Sequence, residues 1–168
     1  MDTKNYNIKI DIDENIFHKF PFNFEKNIRY LLAVVPTEHI TQLNSVKVVS
    51  SFSGKQQNAA YGFYYGKREG ADMPSIIICA DNIFRRLPRF IFYLMPFVPR
   101  LFLADTLYHE IAHHYQRLTH GIKKENWEKN AETYSKHMKK RAFRGYKWVL
   151  FVLFGPFLFF KKFFAKNK

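Results

Sequence analysis

The sequence predicts an α+β fold, a single domain with a small twisted mixed sheet. Three observations carry this. Strand-like segments and one helix come first in the chain and further helices follow, the order of an α+β protein and not of an alternating α/β one. The 168 residues, 47% hydrophobic and 24% charged, suit one core of sufficient size and exclude a disordered chain. The single cysteine, Cys79, excludes a disulfide framework and a cysteine-based zinc finger.

The elements can be justified in order. Met1 to Asp13 is polar with alternating Ile8, Ile10 and Ile12, so it reads as a strand over 6–12 and not as a signal peptide. Residues 24–35 carry Ile28, Leu31, Leu32 and Val35 at helical spacing, and Pro36 stops them. Residues 46–52 are a β-branched run and a third element, a strand. Residues 59–65 and 74–80 flank a polar, glycine-bearing turn and read as a hairpin. A short helix over 81–87 precedes an apolar stretch, 90–98, that Pro88, Pro96 and Pro99 interrupt. Residues 100–118 form the strongest helix, with Gly121 placed to end it, and a second helix runs from about 125 to 143. The expected organisation is a globular domain over 1–143 and a hydrophobic, Lys-rich helical appendage over 144–168.

The chemistry sits in the strong helix. His109 and His113 of His109-Glu110-Ile111-Ala112-His113 share one helical face, and two imidazoles at that spacing can hold one Zn²⁺. Glu110, one step round the helix, can reach water beside such an ion, which is where a general base is needed. Leu103, Leu107 and Ile111 form an apolar stripe for the opposite face. A catalytic zinc needs a third protein ligand. His120 follows His113 by seven residues, whereas the metzincin pattern requires six with a glycine where Gln116 stands, so His120 is set aside. Glu128 lies on the next helix, and an antiparallel return would bring it beside the histidines. Glu132, one turn further on, could accept the second N–H of a ligand histidine.

His109-Glu110-x-x-His113 followed by Glu128-x-x-Ala131-Glu132-x-Tyr134 resembles the gluzincin metallopeptidases, a group that includes the thermolysin-like enzymes and the minigluzincins. The second half is also similar to a signature of bacterial peptidases that cleave phage repressors. The resemblance implies a zincin-like domain with an active-site helix and a glutamate helix. It implies Zn²⁺ held by His109, His113 and Glu128, a ligand histidine oriented by a hydrogen bond to Glu132, and Glu110 as the base in peptide-bond hydrolysis. It also implies an edge strand that pairs with extended peptide substrate, for which Ala60, Tyr61, Gly62 and Phe63 are the best match. No counterpart of the family's transition-state-stabilising Tyr or His is assigned. The alternative is a catalytically inactive zincin-fold binding module at a membrane.

Charge separates the two ends of the chain. Up to Glu132 there are 17 Lys/Arg against 14 Asp/Glu, and from Thr133 onward there are 10 Lys/Arg and no acid. Residues 148–160 are apolar, interrupted by Gly155-Pro156 and flanked by Arg141, Arg144, Lys147, Lys161 and Lys162. Thirteen residues make a helix of about 20 Å, short of the roughly 30 Å hydrocarbon core. An in-plane segment on an anionic membrane surface fits this pattern, and residues 90–98 with their flanking arginines are a second such segment. Blocks of Phe instead of spaced aromatics argue against nucleic acid as the partner. The expected location is cytoplasmic, peripheral or monotopic at the inner face of the membrane.

Overall fold

In the computed structural model of the chain, residues 7–52, 60–66, 73–119 and 124–146 are described. They form a small α+β domain with one four-stranded mixed sheet and six α-helices among them. The strands are β1 (Lys9–Ile12), β2 (Ser45–Val49), β3 (Gly62–Tyr65) and β4 (Ser75–Cys79), in the order β1-β2-β4-β3. β1 and β2 are parallel, as are β2 and β4, whereas β3 runs antiparallel to β4 at the edge of the sheet. The expected mixed sheet and hairpin are therefore present. Gly121 and the segment beyond 146 lie outside the described residues.

The helices are α1 (Glu14–Lys19), α2 (Phe24–Leu32), α3 (Ala80–Phe84), α4 (Arg89–Leu94), α5 (Phe97–Leu118) and α6 (Trp127–Ala142). Asn23 caps α2 through its side-chain oxygen, which accepts from Lys26 N–H at 2.8 Å. α5 begins three residues earlier than the proline pattern suggests. Pro99 stands in its first turn, where a backbone N–H has no helical partner to lose, and so does not break it. α1 and α4 are short helices that the sequence reading did not separate from their surroundings.

Val46, Val48, Ile76 and Ile78 project from one face of the sheet into the core, while Lys47 between them is exposed. Against that face lie Leu103, Leu107 and Ile111 of α5, all fully buried, so the predicted apolar stripe does face the core. α2 closes the layer with Phe24, Ile28, Leu31 and Leu32, and the buried Tyr108 hydroxyl donates to Leu31 C=O at 3.1 Å. A cluster of Phe20, Phe22, Phe24, Phe84 and Phe92 packs edge-on and tilted, with ring centroids 5.0–6.2 Å apart, and ties α4 to the body.

β3 lies directly on α5. A Cβ at Gly62 would stand 2.7 Å from Thr106 Cγ2 and 3.2 Å from Glu110 Cγ, so only glycine permits this approach. Gly62→Ala should destabilise the protein by about 1–3 kcal/mol in denaturant unfolding. Combining it with Thr106→Ser, which removes the clashing methyl, should recover part of that loss. Additive effects in the double variant would show that the contact does not set the strand's position.

Candidate metal centre

α6 packs antiparallel on α5, and its sequence explains which side faces inward. Ala131, Ser135, Met138 and Ala142 recur at helical spacing and are buried, and the small side chains among them let the two helices approach closely. Glu128 is the next position on that stripe towards the N-terminus, so it meets α5 although its side chain is 77% exposed. The register is fixed further along, where Ser135 Oγ donates to Asp105 Oδ1 at 2.9 Å and to Asp105 C=O at 3.1 Å. Burial pushes the Asp105 carboxyl up, but hydrogen bonds from Lys139 and Ser135 outweigh it and hold the group below the usual carboxylate range.

These contacts bring His109, His113 and Glu128 together. His109 Nε2 and His113 Nε2 are 3.1 Å apart. Glu128 offers one oxygen 3.3 Å from His109 Nε2 and the other 3.5 Å from His113 Nε2. Ligands of a tetrahedral zinc ion, with bonds of about 2.0–2.1 Å, lie ~3.3–3.4 Å from one another. Taking one ligand atom from each residue, the three donors lie within 4.8 Å of one another, a group that could hold one metal ion, and two imidazoles with one carboxylate suit Zn²⁺.

Gln116 fixes the tautomer of one candidate ligand. Its amide nitrogen donates to Trp127 C=O at 3.0 Å, so its oxygen is the atom 3.3 Å from His113 Nδ1. An acceptor there means that Nδ1 carries the proton and Nε2 presents a lone pair. Burial, and next the neighbouring His109, hold His113 below the ordinary histidine range, which keeps the ring neutral. Glu132 takes no part in this. Its carboxylate is exposed and lies 3.6 Å from Lys136 Nζ, and the acceptor beside a candidate ligand is Gln116.

Glu110 faces the sheet from the adjacent position on α5. Burial first, and then the Glu128 charge, push its carboxyl up to about 7, against the pull of a backbone N–H from Tyr64. Cys79 N–H donates to Tyr61 C=O at 2.9 Å, so Tyr61, Phe63 and Tyr65 turn their main-chain groups toward β4. Gly62 and Tyr64 turn theirs outward. Of the four residues expected on the edge, Gly62 and Phe63 are in β3 and Ala60 and Tyr61 immediately precede it, with Ala60 C=O taken by Asn82 Nδ2 at 2.6 Å.

A cavity of about 460 Å³ opens between β3 and α6, with His109 and Glu110 on one wall and Glu132, Ser135 and Lys139 on another. A second, of about 560 Å³, shares Tyr61, Asp105 and Thr106 with it and continues to Arg85, Arg86 and Phe102. Together they make one groove beside the edge strand.

The other singled-out residues fall elsewhere. His114 follows His113 in the chain but turns into the interior. It is fully buried, its Nε2–H donates to Thr41 C=O at 2.8 Å, and its Nδ1 accepts from Tyr64 O–H at 3.1 Å. His39 packs against Tyr115 and hydrogen-bonds to Tyr134 O–H at 2.9 Å. His120 lies outside the described residues. No family model, curated protein or solved structure matches the chain.

Gln116→Leu should weaken zinc binding about 10–100-fold in a chelator competition, while Glu132→Gln leaves it unchanged. Glu110 also affects stability. Because its carboxyl is raised in the folded state, its ionisation costs nothing below about pH 4.5 and its full amount, about 3 kcal/mol at most, above about pH 7. Metal-free Glu110→Gln protein should therefore have a higher Tm than wild type at pH 8, with the gap closing as pH falls to 5.

Proposed function

We propose that this chain is a zinc-dependent metallohydrolase of the zincin type. More narrowly, we infer a gluzincin-like peptidase with His109, His113 and Glu128 as the metal ligands. The observation that carries the reading is the convergence of those donors within 4.8 Å beside a buried carboxylate one residue away on the same helix. The groove along an unpaired strand edge supports a peptide as the substrate, since the Gly62 main-chain groups and Tyr64 C=O are directed outward for an extended chain to meet, while Tyr64 N–H is taken by Glu110.

When bound, Zn²⁺ supplies a Lewis acid that acidifies water and polarises a carbonyl. The chain's own residues do the rest. Glu110, buried beside the candidate ligands, accepts the proton of the attacking water. It then delivers that proton to the departing amine nitrogen. Gln116 keeps the His113 lone pair directed into the site, and the edge strand fixes the peptide in extended form. Association with an anionic membrane surface at the cytoplasmic face belongs to the same reading, through the basic, apolar segment 147–168. Among the described residues no helix is long and apolar enough to cross a membrane.

Glu110→Gln should retain stoichiometric zinc by elemental analysis and lose about 10²–10⁴-fold in peptide hydrolysis. Glu128→Ala should lose the metal itself. Wild-type protein that holds zinc but cleaves nothing in a diverse peptide library would favour the binding module instead, and protein that holds no zinc would end both readings.

A further inference from the structure

We propose that α4 and the first two turns of α5 form a docking surface for an anionic lipid bilayer. This surface belongs to the folded domain, is distinct from the segment 147–168, and does not depend on the hydrolase reading. Phe92 is the one buried side chain of α4 and sits in the phenylalanine cluster, while Ile91 is partly buried and Arg89 Nη2 donates to Lys19 C=O at 3.5 Å. The rest of the helix turns its large apolar groups to solvent, with Phe90 57%, Tyr93 70% and Leu94 75% exposed. Leu101 and Phe102 of α5 add to them. Among the described residues, these five of the ten exposed large hydrophobic side chains lie within thirteen positions of the chain. Contiguous exposure of this kind marks an interaction surface, because leaving it in water has a cost that no contact within the domain offsets.

The charge around it selects the partner. Arg85 and Arg86, exposed just before α4, make no ion pair with a described acidic residue, and Arg89 begins the helix. The nearby acids, Asp81 and Asp105, are taken by Lys19 and Lys139. The described chain ends beside this same region, since Tyr146 stacks near Phe97 at 5.8 Å and its hydroxyl accepts from Arg100 at 3.0 Å. The 22 residues that follow carry five lysines and no acid. Folding that segment over the patch would bring like charges together, and so would pairing two copies through it. A sheet of anionic headgroups accepts both basic groups at once, with the apolar side chains entering the acyl boundary.

The experiment uses the full chain. Cys79 is buried, so Leu94→Cys offers one reactive thiol for an environment-sensitive fluorophore, and Lys47→Cys, on the far face of the sheet, is the reference. Adding vesicles of phosphatidylcholine mixed with phosphatidylserine should raise and blue-shift the emission at position 94 several-fold. Nitroxide-labelled lipid should quench it, and position 47 should stay unchanged. Pure phosphatidylcholine should give little response, and Arg85→Glu with Arg86→Glu should lower partitioning about tenfold or more. Protein that floats with vesicles while position 94 keeps its aqueous emission would overturn the proposal, leaving the terminal segment as the sole contact. Emission already blue-shifted without lipid would also overturn it. Concentration dependence would then assign the patch to a second copy, and its absence to the chain's own terminal segment.

Discussion

The seam between α5 and α6 is the contact on which the candidate site depends. Two of the three donors stand on one helix and the third on the other, so any slip along the seam separates them. The seam combines two kinds of interaction. Ala131, Ser135 and Ala142 supply close approach, and the double hydrogen bond from Ser135 to Asp105 supplies register. The second matters because small apolar residues alone pack nearly as well one turn out of place, whereas a buried hydroxyl misaligned from its acceptor is left unsatisfied. Gln116, bonded to Trp127 C=O at the opposite end, closes the seam and orients His113 in the same contact.

The second organising constraint is the proximity of β3 to α5. Glycine at position 62 lets the strand descend until Tyr64 N–H reaches the Glu110 carboxylate. That closeness buries Glu110, which raises its proton affinity, and it also supplies one hydrogen bond that keeps the side chain oriented. The carboxyl is thereby pushed up to about 7, well above the usual carboxylate range. On the other side of Tyr64, the phenol donates to His114, which Thr41 C=O holds in turn, so the strand is secured from both its backbone and its side chain.

Much of this could be read from the residues in advance. The i, i+4 histidines, the adjacent glutamate and the acid on the following helix are local patterns, and local patterns survive folding. The alternation of Val46 and Val48 with Lys47 likewise fixed which face of the sheet is inward. What escaped depends on contacts between distant segments. Gln116 looked like a failed glycine until Trp127 C=O stood against it. Glu132 shares a helix with Glu128 but sits next to Ala131 on the outer side of the buried stripe, so it pairs with Lys136 instead of a histidine. His114 is polar in the sequence and fully interior in the fold, because Thr41 C=O and Tyr64 O–H satisfy both ring nitrogens. Pro99 was read as an interruption, yet position in the first turn makes it harmless.

One geometric property of α5 has a further consequence. Phe102, Thr106, His109 and His113 follow one another along a single helical face, and the seven residues from Phe102 to His109 amount to about 10 Å of axial rise. A straight helix is a stiff spacer, so this stand-off is constant. A polypeptide laid beside it in extended form covers the interval in about three residues. If the aromatic end of the helix rests on lipid as proposed, the histidine pair stands at most about that distance above it, and a protein embedded in that lipid would need to expose only a short stem above the headgroups to reach it.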